Sequence, residues 1–239
     1  MKIEPRHHIQ ATGHLLAYYY PDLLYIRDFQ RQKKRPLHNP NYANGSFRRF
    51  IVDFQVARCL DTKHENPYSE LLTLTLEWVK QTPDDVDGFV NSLKRAGLAH
   101  DKKATSLVSK ILFLNSPQTI SPFDGRVTRA ARQVADQKIK NYRDYLSFFT
   151  EFKKANINEI ESRLSFVEDY LLVIESDFKG EIQDLETIRL NRYVDKLLWV
   201  LGSPKHAHTD NGGALGMTLG VSQSFQSSPH PFTKGMKRH

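Results

Sequence analysis

The stretch that decides the fold covers residues 102–127 and reads KKATSLVSKILFLNSPQTISPFDGRV. After two lysines its first half carries apolar residues at helical spacing, which predicts a helix over residues 103–115. Two prolines then mark a loop, and Asp124 follows at a position typical of the residue that caps the start of a helix. We expect this second helix to run to about residue 134. A loop that folds back would bring a lysine of the first helix close to this aspartate.

Apolar residues recur at helical spacing on both sides of this hairpin. Downstream they predict helices over residues 142–154, 157–174 and 185–201, the last of them ended by Gly202. Convincing strands with alternating apolar and polar residues are absent from the sequence. We therefore predict an all-α fold.

Upstream of the hairpin, spacing and capping residues predict three more helices. One apolar face extends over residues 47–60. Asn66-Pro67 is typical of a helix start, with Asn as the cap and Pro at the first position, and predicts a helix from there to residue 80. Thr82 would cap a further helix that stops at Gly97.

Composition divides the chain into three parts. Residues 1–45 are mixed, and Pro21 interrupts the apolar run around it, so we expect a partly irregular segment that packs on the core. Residues 46–202 form the helical domain. Residues 203–239 are rich in Gly, Ser, His and Pro. They predict a disordered tail, because they cannot bury enough surface to offset the entropy of ordering.

Charge and cysteine content limit the class of protein. The 239 residues include 34 lysines and arginines against 27 aspartates and glutamates, a formal net charge of +7, which favours a polyanionic partner, nucleic acid first. A single cysteine, Cys59, excludes an internal disulfide framework and an all-cysteine metal or iron–sulfur site within one chain. The histidines lack metal-site spacing, so neither a metal nor another cofactor is predicted.

Neither a secretion signal nor a membrane span is predicted. The first ten residues lack the apolar run of a signal peptide. No run approaches the roughly 20 apolar residues that cross a bilayer. We therefore expect a cytoplasmic protein without membrane contact.

The candidate catalytic residues of this hairpin are Lys103, Lys110 and Asp124. A lysine amine can attack the C1′ atom of a sugar and form a Schiff base when burial or a nearby cation lowers its pKa. An aspartate beside it would stabilise the cationic sugar or activate the nucleophile. The structural alternative is that Asp124 only caps its helix, contributing on the order of 1 kcal/mol, and that the lysines are solvated.

The motifs of this region resemble those of the helix–hairpin–helix DNA glycosylases, most closely the 8-oxoguanine DNA glycosylase (OGG) branch. The resemblance is carried by Gly97-Leu98, by Lys103-Ala104 with the apolar helix that follows, and by Pro122-Phe123-Asp124 at the end of the loop. It implies a helical glycosylase fold over roughly residues 47–202. It also implies a catalytic lysine at the start of the second hairpin helix, matched by Lys103, and a catalytic aspartate, matched by Asp124.

A second resemblance, to small bacterial proteins that share the OGG-type fold, matches Lys110 instead. It is carried by Ser109-Lys110 within the helix, by Asp124-Gly125-Arg126-Val127, and by RYVDKLLW at residues 192–199. Lys103 and Lys110 are two helical turns, about 10 Å, apart, so only one of them can face a pocket together with Asp124. The sequence leaves this choice open.

The family resemblance also implies DNA as the partner. Gly97 matches a hairpin glycine whose backbone amide approaches a phosphate. The hairpin has one glycine where the family usually carries two, and Asp101 adds a negative charge. Arg126 and Arg129, three residues apart on the helix after Asp124, would bind phosphates or form a solvated, salt-bridged face.

The function that the resemblance implies is removal of an oxidised purine, 8-oxoguanine, by a DNA glycosylase with or without an AP lyase step. The damaged base would be extruded from the duplex before the reaction. One alternative is a non-catalytic DNA-binding or protein-interaction module that retains the helical fold. Another is a structural helical protein whose tail tethers a partner.

Overall fold

The computed structural model describes residues 3–35, 39–61, 63–100 and 104–204. Regular structure in these ranges is helical, apart from one antiparallel bridge between Leu60 and Ala99, and the prediction of an all-α fold is confirmed. The α-helices are α1 (Pro5–Lys33), α2 (Pro40–Tyr42), α3 (Arg48–Asp53), α4 (Pro67–Gln81), α5 (Val86–Arg95), α6 (Ala104–Asn115), α7 (Gly125–Ala135), α8 (Tyr142–Ser165), α9 (Glu168–Ser176) and α10 (Leu185–Leu201). A π-helical turn, Ala43–Phe47, precedes α3, and a 3-10 turn, Ala57–Cys59, follows it.

Helix α1 continues through Pro21, so the predicted interruption there is wrong. Pro21 has no amide hydrogen and leaves the carbonyl of Ala17 without its helical partner, but both residues face solvent, where water can serve that carbonyl. The opposite face of α1 is fully buried and packs chiefly against α10. Burial of each large apolar side chain contributes about 1.5–3 kcal/mol, and several such side chains outweigh the roughly 3 kcal/mol cost of an internal proline. The buried apolar residues of this face are Ala11, Leu15, Tyr19, Leu23, Ile26 and Phe29.

Helix α3 ends at Asp53, whereas the apolar spacing predicted a helix to Leu60. Gln55 adopts a left-handed conformation with φ of 56°. Its amide donates to the carbonyl of Val52, and the amide of Val56 donates to that of Ile51, at 2.8 and 3.0 Å. These two bonds form the Schellman motif, which usually carries glycine at the left-handed position. A glutamine there gives no stop signal, which is why the predicted helix was too long.

The long helix predicted over residues 157–174 is divided between α8 and α9. Helix α8 absorbs the segment predicted over residues 142–154 and ends at Ser165, and Val167 leaves the helical conformation before α9 begins. Leu164 and Leu171 are buried on either side of this break, seven residues apart, so apolar spacing alone does not reveal it.

The corner between α8 and α9 is both apolar and acidic. Phe166, Tyr170 and Val173 are 77, 59 and 70 % exposed. Tyr170 and Val173 lie three residues apart on α9, and Phe166 lies just before this helix. Residues 159–186 contain nine acidic and only two basic residues. The overall positive charge of the chain is therefore not distributed evenly.

Local signals predicted several helix ends correctly. Helix α4 begins at Pro67 and α10 ends just before Gly202, as expected. Helices α6 and α7 begin and end within one residue of the prediction. Helix α5 differs, because Asp85 rather than Thr82 caps it: the Asp85 carboxylate accepts the amide of Gly88 at 2.9 Å.

Helix α6 lies at the centre of the core, with α1, α4 and α5 packed against it, while α7 packs against α10. The start of α7 and the end of α10 approach each other closely at Gly202. A β-carbon at Gly202 would lie 1.8 Å from the carbonyl oxygen of Arg126. This backbone contact fixes the start of α7, and therefore Asp124, relative to α10.

No helix among the described residues is both long enough and apolar enough to cross a membrane. The described residues up to position 204 form one compact unit by their contacts. The predicted tail, residues 203–239, lies outside the described residues from position 205 onwards.

Candidate active site

A cavity of about 180 Å³ opens between α1, α6 and α10, next to the end of α3 and the start of α7. Lys110 and Asp124 both line it. The other lining residues are His14, Tyr18 and Asp22 from α1, Asp53, Phe54 and Gln55 around the end of α3, Pro122 from the loop, and Arg192, Asp195, Lys196 and Trp199 from α10. Within one small volume the fold therefore combines basic, acidic and aromatic side chains.

Lys110 points from α6 towards the end of α3. Its Nζ donates a hydrogen bond of 2.9 Å to the carbonyl oxygen of Phe54. Burial lowers the pKa of Lys110, and Arg192 adds to this shift, while Asp124 and Asp195 oppose it. The neutral amine of Lys110 is therefore more accessible near neutral pH than that of an exposed lysine, as a nucleophile requires.

Asp124 caps α7, as predicted. Its Oδ1 accepts the backbone amides of Arg126 and Val127 at 2.7 and 3.2 Å. Within the described part of the chain, its Oδ2 has neither a hydrogen-bond nor an ion-pair partner, and the residue lines the cavity. Capping thus occupies one carboxylate oxygen and leaves the other for a ligand. The positive end of the α7 dipole also stabilises negative charge at this position.

A buried ion network closes the cavity on the side of α1 and α10. The guanidinium of Arg192 donates to Asp22 at 2.8 Å and to Asp195 at 2.8 Å, and all three side chains are less than 10 % exposed. The Arg192 guanidinium also lies 4.9 Å from the ring centroid of Phe113. Burial raises the pKa of Asp195, and the charge of Arg192 opposes that shift. Such a network is costly to break at one member, so it holds the cavity wall in place.

An aromatic group, also from α1 and α10, forms a second part of the cavity wall. The Arg126 guanidinium lies 3.5 Å from the ring centroid of Trp199, and His14 meets the same ring edge-on at 4.8 Å. Burial lowers the pKa of His14, with Lys196 and Arg126 adding to the shift, so its imidazole is neutral at pH 7. A neutral imidazole has one ring nitrogen that donates and one that accepts, which suits a polar heterocyclic ligand.

Of the predicted catalytic residues, the structure brings Lys110 and Asp124 into one cavity. Lys103 lies outside the described residues, as does Asp101. The catalytic roles of Lys103, Lys110 and Asp124 remain predictions.

The three predicted DNA-binding residues lie away from the cavity lining and have internal partners. Arg126 stacks on Trp199, and Nε of Arg129 donates to the carbonyl of Gly202 at 2.8 Å. Gly97 is left-handed with φ of 70°, and its amide donates to the carbonyl of Lys94 at 3.0 Å. That amide is therefore not free for a phosphate, and DNA contact by these residues remains a prediction.

The sequence did not indicate the contribution of α1 to the site. His14, Tyr18 and Asp22 had no predicted role, although Asp22 offers a signal. It stands seven residues after Leu15 and four before Ile26, on the apolar face of α1. A charged residue on a buried face requires a partner, and the partner is Arg192.

Among the described residues, histidine, cysteine, aspartate and glutamate nowhere form a group of three that could hold a metal ion. In comparisons with protein-family models, curated proteins and solved structures, nothing matches this chain.

Proposed function

We propose that the cavity is the active site of a DNA glycosylase that excises an oxidised purine such as 8-oxoguanine. Lys110 would be the amine nucleophile and Asp124 the charge-stabilising carboxylate. The observation that supports this is the placement of these two side chains in one cavity, with Lys110 partly desolvated and one oxygen of Asp124 free of partners among the described residues.

The proposed reaction uses these groups in sequence. The neutral amine of Lys110 attacks C1′ of the damaged nucleoside, and the bond from C1′ to the base breaks. The bonding electrons leave with the base, which takes up a proton. Asp124 stabilises the positive charge that develops on the sugar. The amine then loses a proton, the bond between C1′ and the ring oxygen O4′ breaks, and O4′ takes up a proton, which gives a protonated Schiff base between Lys110 and C1′.

The size and walls of the cavity support a single base as its occupant. Its volume of about 180 Å³ is smaller than the pockets of roughly 300–1,000 Å³ that hold drug-sized ligands. Tyr18, Phe54 and Trp199 line the cavity, and this aromatic lining suits a planar base. A base inside a duplex cannot reach such a cavity, so the proposal requires extrusion of the base.

Trapping of the Schiff base tests this proposal. The protein is incubated with duplex DNA containing 8-oxoguanine, and borohydride is added to reduce the imine to a stable amine. We expect a covalent adduct that is lost in Lys110→Gln and kept in Lys103→Gln, its matched control from the same segment. The opposite pattern would assign the nucleophile to Lys103. Absence of both an adduct and base release with any oxidised purine would exclude the proposed function.

One observation supports a second candidate, a non-catalytic protein-interaction module that retains the helical fold. The amides of Gly97, Leu98 and His100 donate to the carbonyls of Lys94, Leu93 and Cys59 at 3.0–3.1 Å. These hairpin amides are therefore engaged within the protein rather than directed at a phosphate. A protein-interaction module would form no adduct and release no base in the same experiment, and it would not bind duplex DNA with the strong salt dependence of phosphate contacts.

A further inference from the structure

Helix α9 exposes more large apolar side chains than it buries. Within the described ranges eight large apolar residues are exposed, and half of them lie between positions 166 and 173. These four are Phe166, Tyr170, Leu172 and Val173. Of the apolar residues of α9, all of which are described, only Leu171 is buried. Single exposed apolar residues are common, but a group of them marks an interaction surface.

The acidic residues of α9 divide into a paired and an unpaired group. Glu168 and Glu175 lie 3.6 and 3.7 Å from the guanidinium of Arg189 on α10. Asp169 and Asp177 are exposed, and neither has an ion-pair or hydrogen-bond partner for its side chain among the described residues. Two carboxylates of this short segment are therefore left for an external partner.

The two unpaired carboxylates flank the exposed apolar side chains. Asp169 and Asp177 stand four residues before and four residues after Val173, and positions at this spacing are neighbours on a helix surface. The nine acidic residues around this corner are accompanied by only two basic ones, Arg163, which is already ion-paired, and Lys179. The surface therefore combines an apolar centre with a negative rim.

We call this group of exposed side chains the α9 surface: Phe166, Asp169, Tyr170, Leu172, Val173 and Asp177. Its negative charge repels nucleic acid phosphates and anionic lipids alike. Helices that lie on membranes carry lysine and arginine on their polar face instead. A twofold dimer through this surface would place its acids against those of the second copy, which like charges oppose. The charge complementarity that remains is with a basic segment of another protein.

We propose that the α9 surface binds an amphipathic helix of a partner protein. The apolar face of that helix would cover Phe166, Tyr170 and Val173, and its flanking lysines or arginines would pair with Asp169 and Asp177. Two helices pack by fitting the side-chain ridges of one into the grooves of the other, and opposite charges beside the apolar contact select the partner. Removal of the apolar side chains from water drives the association.

Binding of a designed peptide tests the apolar part of this surface. The probe is a fluorescein-labelled peptide of about 18 leucines and lysines, long enough to form a helix, with the leucines along one face. We expect the full chain to raise its fluorescence anisotropy, and Tyr170→Ser and Val173→Ser each to weaken binding about tenfold. Both side chains are exposed, so the fold should tolerate these changes. Ile9→Ser, which removes a 72 % exposed apolar side chain of α1, should keep the affinity.

A second pair of variants tests the charged part. Replacing both Asp169 and Asp177 by asparagine should weaken binding and reduce its dependence on salt, because two ion pairs with the peptide are lost. Replacing Glu65 and Glu77 by glutamine removes the same charge at exposed positions outside the α9 surface and should change neither property. A peptide with glutamate in place of lysine should not bind. Binding of that peptide with equal affinity would overturn the inference.

Other outcomes would also overturn it. Failure of the leucine–lysine peptide to bind would do so, as would equal affinities for the unaltered protein, Tyr170→Ser and Val173→Ser. A dimer in sedimentation velocity that dissociates in Val173→Ser would show that a second copy covers the surface. Binding to phosphatidylserine vesicles that is lost in Val173→Ser would assign the surface to a membrane.

The inference does not rest on the proposed function, because the α9 surface and the lining of the cavity share no residue. Adduct formation with 8-oxoguanine DNA should therefore be the same in Tyr170→Ser, Val173→Ser and the unaltered protein. If the unaltered protein forms no adduct, the proposed function fails, and the peptide experiment still decides whether α9 binds a basic helix.

Discussion

The side-chain nitrogen of Lys110 lies 2.9 Å from the carbonyl oxygen of Phe54, the residue at which α3 gives way to a left-handed turn. The candidate nucleophile is thus held by a neutral acceptor and partly shielded from water. The cost of a charge at this position should be measurable in the stability of the protein.

The free energy of unfolding should increase between pH 7 and 9.5, and the substitution Lys110→Met should make that increase smaller. Burial lowers the pKa of Lys110 in the folded state, so the unfolded chain binds more protons in this range. The free energy of unfolding then increases with pH. The measurement is urea unfolding at several pH values below 10, where tyrosines of the unfolded chain begin to ionise. Lys80→Met, at an exposed site, is the control, and equal slopes in all three proteins would contradict the prediction.

Substitutions at Asp124 should separate capping from chemistry. Asn caps helices about as well as Asp, so the free energy of unfolding of Asp124→Asn should lie within about 0.5 kcal/mol of that of the unaltered protein. Asp124→Ala loses the bonds to Arg126 and Val127 and should cost about 1 kcal/mol. Both variants remove the carboxylate and should lose base excision. If Asp124→Asn retained full base excision, the role of Asp124 would be limited to capping α7.

Arg192→Met should be among the most destabilising single changes. It leaves Asp22 and Asp195 buried without their cation, and breaking such a network at one member costs about 3–5 kcal/mol. Replacing all three residues by apolar ones should recover much of this loss. Urea unfolding measures both variants, and a loss below about 1 kcal/mol in Arg192→Met would show that the network contributes little.

Gly202→Ala and Gly13→Ala should change stability in opposite directions. A β-carbon at Gly202 would lie 1.8 Å from the Arg126 carbonyl oxygen, so α7 and α10 must move apart, at a cost of about 1–3 kcal/mol. At Gly13, inside α1, a β-carbon meets no atom within 4 Å, and alanine should stabilise the helix by about 0.5–1 kcal/mol. Thermal unfolding of the two variants gives the comparison, and equal shifts would refute the close-packing interpretation.

Where sequence prediction succeeded, the signal was local. Asn66-Pro67 and Asp124 each mark a helix start correctly. The Asp124 side chain caps its helix by hydrogen bonds, whereas the Asn66 side chain makes no capping hydrogen bond. The course of a helix beyond its start was harder to predict from the sequence. Pro21 has a strong local preference against a helix, but burial of the opposite face of α1 overrides it. Gln55 ends α3 without any of the residue types that usually do so.

The candidate site was likewise predictable only where its residues are close together in the sequence. Lys110 and Asp124 are 14 residues apart and belong to one hairpin, so their proximity followed from a single loop. Asp22 and Arg192 are 170 residues apart, and only the packing of α1 on α10 brings them together. The choice between Lys103 and Lys110 depends on which end of α6 borders a cavity, which spacing along the helix does not encode.

The segment around the corner between α8 and α9 carries a net charge opposite in sign to that of the rest of the chain. Residues 159–186 carry a net charge of −7, so the remainder of the chain carries +14, twice the formal total. In the field of a polyanion such an asymmetric charge experiences a torque as well as an attraction. If DNA is the partner that we propose, its phosphates would repel this segment, and Phe166, Tyr170 and Val173 would face away from the DNA before contact.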